Sequence, residues 1–554
     1  MQINEPVEAF LNIVRLLLLL LLFAYSIGAA TEPYSLELVK KAKEGDALSQ
    51  NNLGFCLENG NGVEKNVSNA FQWYLKAANN GQVEGQFNLG RCYASGIGTE
   101  IDEAECSKWA FKAAEAGHKD AQVIIAQDFA FRGGENNLEE AVKWFKKAAE
   151  QGQKTAEFNL GAAYLMGQGV QKDEKEAVRW LTRSSAQNVA LAQYNLGFCY
   201  FNGLGVDKDE KEAFKWCLKA AEQGNDKGQF SVANCYYNGT GVPKDTDLAV
   251  KYYKKAAKRG NLEAQLVLAA LYKDGKLVEK DENECLIYWQ LAADQGNPVA
   301  EMAVAISYWK KQENEKAAKW VKKAVDHKLP AALAMLGRMT IDGSGVPKDE
   351  AQGLKLIQQS ADQNDPYGLY ELGRCYQTGV GVQADPKEAE KYYLKAASFG
   401  SPPASYQLGL QYALEKNNAE AAKWLSIAAT NNYEDAKWIL GTMYGKGDGV
   451  KQDWDRAFQL LKSASDAGFD KADCDLGFAY LNGFGCEKDT DKAISLFSKA
   501  SSKNDPQGLA MKGYCIYYGL GIQKDEAAGL DLIKKSSDLG CKDATALLQK
   551  ISHP

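Results

Sequence analysis

Histidine is scarce in this chain of 554 residues: His118, His327 and His553 are the whole complement. None of them has a second histidine or a cysteine pair at metal-ligand spacing, so no metal site is expected and zinc chemistry is excluded. A basic excess is missing too. Lys and Arg number 65 against 72 Asp and Glu, for a net charge of −7, which lacks the positive footprint of a nucleic-acid binder. No nucleophile and base stand in a recognisable pair, and the many Gly-x-Gly pairs, such as Gly203 and Gly205, follow helical patterns rather than strands. That context excludes P-loop and Rossmann phosphate cradles, so no catalytic residue, cofactor or small-molecule substrate is expected. Long apolar runs are lacking as well. The apolar part of residues 16–30 is 15 residues long, short of the ~20 that span a bilayer.

What the chain has in abundance is repetition, and the reference copy is residues 192–224, AQYNLGFCYFNGLGVDKDEKEAFKWCLKAAEQG. With Gly197 as anchor, its equivalents are Gly54, Gly90, Ala126, Gly161, Ala233, Ala269, Ala305, Gly337, Gly373, Gly409, Gly441, Gly477 and Gly513. The intervals are 36 residues except for 35 after Ala126 and 32 after Ala305 and Gly409. A period of this size belongs to solenoids. Within the unit, Leu196 and Tyr200 lie four apart on one face of a first helix, helix A. Gly203 and Gly205 break it. Asp209 and Glu212 then have the spacing of a capping box at the start of helix B, whose Ala213, Trp216, Ala220 and Ala221 form the core face. Gly224 stands where a left-handed residue ends that helix. The anchor is always Gly or Ala, and the Ala213 position holds only Ala, Cys or Gly, so close helix approach is expected at both. Gly or Asn occupies the Gly224 position in every copy except the one with Lys328.

These residues resemble the Sel-one-like repeat family, relatives of the tetratricopeptide repeats, through A-x-x-x-L-G-x-x-Y-x-x-G-x-G-V-x-x-D followed by A-x-x-W-x-x-K-A-A-x-x-G. The resemblance covers residues 35–552 and implies an all-α fold, a right-handed α-solenoid superhelix of about fourteen antiparallel helix-pair repeats. At helix spacings of ~8–10 Å that stack would run roughly 110–140 Å. It also implies a non-enzymatic adaptor for other proteins. Cysteine-rich bacterial members tie a Cys ending helix B to one opening the next helix A. Ala221 and Gln229 stand at those places here, so that ladder is not expected.

The organisation expected is residues 1–30 as a signal peptide or signal anchor, 31–47 as a capping half-repeat, 48–540 as fourteen repeats and 541–554 as a capping helix. In the leader, Arg15 precedes the apolar run 16–23, and Gly28 and Ala30 suit the −3 and −1 sites of a cleavage signal. Membrane association is expected only if residues 16–30 remain as an uncleaved anchor. A buried helix is the third reading.

Six of the twelve cysteines, Cys56, Cys92, Cys199, Cys235, Cys375 and Cys515, share the position two after the anchor and form a core stripe. Free buried thiols are the first reading; bridges of Cys92 with Cys106, Cys199 with Cys217 or Cys474 with Cys486 remain open. His118 and His327 fall in loops after helix B, where a solvated surface role is expected. For partner binding, Asn52, Asn88, Asn159 and Asn195 form an amide ladder two residues before the anchor. Phe198, Phe201 and Tyr237 occupy variable places and form a candidate exposed aromatic patch. Two N-glycosylation sequons begin at Asn66 and Asn238, the first also a helix-B cap and the second within a glycine loop.

Together these features describe a protein-binding scaffold of the secretory pathway, in the endoplasmic reticulum lumen, secreted or at the cell surface. The resemblance implies quality control in the endoplasmic reticulum as one setting, although the chain ends in Ser552, His553 and Pro554 without a KDEL-like tail or a C-terminal span. A cytosolic or membrane-anchored signalling scaffold is the alternative. A hydrolase-like binder of penicillin or peptidoglycan fragments ranks below both. Expression in glycosylating cells, with deglycosylation and N-terminal sequencing, is expected to give a mobility shift and a product starting at Thr31. A product that keeps Met1 and does not shift would place the protein outside the lumen.

Overall fold

The computed structural model describes residues 32–552, so the leader 1–30 and His553 lie outside the described residues. Among the described residues there are 30 α-helices and no strand. No helix among them is long and apolar enough to cross a membrane. Consecutive helices pack on one another, which makes the protein an all-α solenoid of helix-pair repeats. The helix contacts divide into two units, Met1–Leu291 and Ala292–Pro554.

The reference repeat shows why these residues make a helical hairpin. Helix A runs Ala190–Asn202 and ends on Gly203, whose φ of 70° needs no Cβ. Helix B runs Glu210–Glu222, and the Asp209 carboxylate accepts the amides of Lys211 (2.9 Å) and Glu212 (3.0 Å). The expected capping box is only half made. Its other half needs the Asp209 amide, which instead donates to the Tyr200 carbonyl of helix A at 2.9 Å. Glu212 is left to pair with Lys215. The same backbone tie joins Asp102 to Tyr93, Asp173 to Tyr164, Asp245 to Tyr236, Asp385 to Tyr376 and Asp489 to Tyr480. Each cap residue thus serves helix B with its side chain and helix A with its backbone.

Glycine has two separate jobs. At the anchor, a Cβ on Gly197 would lie 2.7 Å from the Cys217 sulfur and 3.0 Å from the Ala213 carbonyl, so the two helices of a repeat touch there. In the loop, a Cβ on Gly205 would overlap the Glu174 carbonyl, in the first turn of helix B of the preceding repeat. Gly169, Gly241, Gly345, Gly449 and Gly485 are pressed in the same way against Leu138, Glu210, Asn314, Asn418 and Trp454. The second loop glycine is therefore a contact between repeats and not only a bend.

The bend after helix B is left-handed in every copy. Gly224 has φ 83°, and the exception at that position, Lys328, still adopts φ 59°. In the two shortened repeats the chain turns from helix A to helix B through Gln312 (φ 64°) and Lys416 (φ 63°). Leu196, Cys199, Ala213 and Ala220 are buried as expected, but Trp73 and Trp216 are only half-buried, unlike Trp180. A lysine three residues on covers the outer face. Lys76 sits 4.2 Å above the Trp73 ring and Lys219 4.1 Å above that of Trp216, and Trp144 and Trp320 are covered likewise by Lys147 and Lys323. Such cation–π contacts contribute about 0.5–1 kcal/mol each at exposed sites. All twelve cysteines are free, and eleven of them are buried.

Alanine replacements separate the two loop glycines. Gly203→Ala meets nothing closer than 3.5 Å and carries the cost of the left-handed backbone alone, about 1–2 kcal/mol. Gly205→Ala carries that cost and the clash with Glu174, so its melting temperature is expected to fall clearly further. Equal losses would contradict the contact between repeats.

Candidate functional site

Helix A of Ala190–Asn202 turns Leu196 and Cys199 inward, and this sends Phe198 and Phe201, three apart, to the other face. Each is 44% exposed, and Tyr237 on the next helix A, Asp226–Asn238, is 40% exposed. All three candidate rings are therefore exposed. Between these helices lies a cavity of about 220 Å3, walled by Tyr194, Phe198 and Phe201, floored by Cys217 and Cys235, and edged by Asn234 and Asn238. Tyr237 stands outside that cavity. Lys208 lies 5.6 Å above the Phe201 ring and Lys244 5.6 Å above that of Tyr237, so these two rings each carry a cation over the face. Asn234 is engaged, its Oδ1 accepting the Tyr253 hydroxyl at 2.6 Å. The floor is not nucleophilic. Burial pushes the Cys217 thiol up to about 12 and that of Cys235 to about 11, so both present neutral sulfur to the cavity. The arrangement suits seating an apolar side chain.

The amide ladder is corrected by the structure. Asn52 and Asn88 are each only 1% exposed, and Asn88 donates its amide to Asn51 Oδ1 at 2.9 Å, across one repeat. Asn159 folds back onto the Thr155 carbonyl of its own helix, and Asn195 is half-buried. A position so close to the anchor faces the neighbouring helix A, which leaves no row of free amides for a peptide backbone. Both sequon asparagines are exposed. Asn66 caps a helix, its Oδ1 accepting the Asn69 amide at 2.9 Å. Asn238 closes helix A rather than sitting within the loop, because the left-handed bend comes one residue later at Gly239.

His118 is also corrected. It is no solvated loop residue: its ring stacks on Phe87 with centroids 4.1 Å apart, accepts the Ala121 amide at 3.2 Å, and lies 3.1 Å from Glu84 Oε2. The nitrogen that accepts from Ala121 leaves the other one to donate to Glu84, whose carboxyl is lowered mainly by that hydrogen bond. His118 caps helix A of Lys119–Arg132, as Asp46, Asn225, Asn261, Asn297, Asp365 and Asp505 cap theirs. The signal was present as a fixed offset of eight residues before the anchor. His327 does reach the surface, 3.6 Å from the buried Glu301.

Sequence reasoning also missed two buried ionic seams between neighbouring A helices. Arg91 holds Glu58 through both guanidinium nitrogens while the Tyr74 hydroxyl donates to the same carboxylate at 2.8 Å. In the second unit Arg338 bridges Asp342 (2.6 Å) and Glu371 (3.5 Å), with Arg374 3.2 Å from Glu371. Burial raises the Glu371 carboxyl to about 7, an effect that Arg338 and the Tyr367 hydroxyl partly offset.

The family model described as Sel1 repeat matches residues 47–82, 83–118, 120–153, 155–189, 190–225, 226–261, 262–297, 330–365, 366–401, 402–433, 435–469, 470–505 and 507–541. The chain belongs to the Sel1 repeat family. Its thirteen matched Sel1 repeats leave a gap at 298–329, which holds the shortened helix pair Pro298–Lys310 and Asn314–Asp326. Sel1 repeats are a non-catalytic family of protein-interaction scaffolds, which typically bind proteins. Among solved structures, the chain is similar to a protective antigen of uropathogenic Escherichia coli strains that displays an SLR fold. That likeness is 27% identity over 93% of this chain and 96% of the antigen, with a TM-score of 0.40. It is also similar to a Sel1 repeat protein from Oxalobacter formigenes, at 28% identity over 54% of this chain and 89% of the other, with a TM-score of 0.39. No curated protein matches the chain.

The Glu371 seam makes a pH prediction. The folded Sel1 repeat keeps a proton on Glu371 that the unfolded chain releases near 4.5, so this group's contribution to stability is full below about 4.5 and is lost as pH rises to about 7. Glu371→Gln, which cannot release a proton, is expected to remove that decline. Melting temperatures of the two proteins compared between about pH 5 and 8 should converge at the acid end and diverge towards neutrality; parallel curves would refute it.

Proposed function

We propose that this Sel1 repeat protein is a non-catalytic adaptor of the secretory pathway that captures partner proteins through the aromatic surface of Phe198, Phe201 and Tyr237. The observation that carries the reading is the exposure of three large rings beside an apolar cavity, at repeat positions that do not need aromatic residues for packing. Exposed aromatic side chains at a well-formed pocket are the usual anchors of protein recognition, and a cation over the ring face adds preference for a partner with acidic groups nearby. Quality control in the endoplasmic reticulum lumen is the setting proposed. The apolar run 16–30 behind Arg15 supports it, as does the exposure of both sequon asparagines.

The test is affinity capture with cross-linking from a lumenal fraction, using the full chain and the triple variant Phe198→Ser, Phe201→Ser, Tyr237→Ser. The three rings are exposed, so the variant is expected to keep its melting temperature while capture of the cross-linked partner falls at least tenfold. Unchanged capture would dismiss the surface.

A further inference from the structure

The second unit holds a larger groove, which no sequence feature announced. Met302, Ile306 and Trp309 of Pro298–Lys310, Met335 of Pro330–Asp342 and Tyr367 of Pro366–Thr378 wall a space of about 690 Å3. Ile306 is 40% exposed in it. It lies at the shortened repeat, where helix A passes to helix B through Lys311, Gln312 and Glu313. Val346, in the loop of the following repeat, packs on the same core as Met302 and Met335. None of the three residues of the short turn is apolar, and Gln312 stands at the groove's edge.

Two cations at the mouth are left without an ion-pair partner among the described residues. Lys310 lines the groove and Lys311 follows it, both exposed. The carboxylates nearby are engaged: Glu313 with Lys316, Glu301 facing His327, and Glu371 with Arg338 and Arg374. An apolar trough with two unneutralised cations at one end is complementary to a segment that is apolar in the middle and acidic at the flank.

We propose that this groove docks an acidic, apolar segment of a partner protein, with two or three apolar side chains between Ile306, Trp309 and Met335 and Asp or Glu at the Lys310 and Lys311 end. The class of partner rests on the scaffold reading; the place does not, since the groove and the Phe198 surface belong to different units.

The probe is a random peptide display library selected on the full chain, on Ile306→Glu, on the double variant Lys310→Glu with Lys311→Glu, and on Phe198→Ser, each first matched to the parent by thermal melting. Peptides enriched on the parent are expected to combine Leu, Ile, Phe or Trp with Asp or Glu. Synthetic copies should bind Ile306→Glu at least tenfold more weakly and Phe198→Ser unchanged, while the lysine variant should select basic flanks instead. Binding that ignores Ile306→Glu overturns the proposal, as does an acidic preference that survives the lysine reversal. Peptides lost only on Phe198→Ser sink the groove and leave the Phe198 surface standing, whereas failure to enrich on any variant sinks both. A dimer in light scattering that Ile306→Glu splits would show a second copy of this chain as the occupant, and would likewise overturn it.

Discussion

A contact that recurs between repeats is the approach of the loop's second glycine, where the loop keeps one, to the first turn of the preceding helix B. The backbone of Gly205 lies where no side chain fits, against the Glu174 carbonyl, and the same approach recurs from Gly169 to Gly485. Because the partner atom is a backbone carbonyl rather than a flexible side chain, it cannot yield without moving a helix. Where the glycine is kept, this contact fixes the step from one repeat to the next, while an anchor contact such as that of Gly197 with Ala213 and Cys217 fixes the hairpin inside its repeat. A one-dimensional array of this kind gains its stability from nearest-neighbour terms, so register has to be set locally and repeatedly.

Much of the fold was legible in the residues because the repeats serve as internal replicates. The small anchors, the residues at the Ala213 position and the Gly or Asn bends all proved to be places of contact or positive φ. The left-handed Lys328 shows that geometry persists where its favoured residue is lost. The capping box misled because its spacing contains no information about where the Asp209 amide goes. That donor is claimed by Tyr200 from the other helix.

The candidate site was legible only in part. Phe198, Phe201 and Tyr237 stood out as departures from the repeat's own recipe, and departures are what a repeating background reveals. The asparagine ladder failed for the converse reason: a residue recurring at the packing interface recurs because it packs, as the Asn88 to Asn51 bond shows. His118 followed the same rule, since a cap position was read as a loop. The ionic seams escaped notice because their partners lie across a repeat boundary: Arg91, Arg338 and Arg374 share the place after the anchor, but Glu58 and Glu371 stand at different repeat positions.

The buried sulfur stripe has a consequence for where such a chain is able to fold. Burial pushes the Cys92 thiol up to about 12 and that of Cys199 to about 11, so at neutral pH these two hold almost no thiolate, the species that attacks oxidants and foreign disulfides. Reducing and oxidising compartments therefore act alike on these two buried thiols of the finished solenoid. Their difference falls on the nascent chain, whose thiols are open to mispairing until the helix pairs that carry them close.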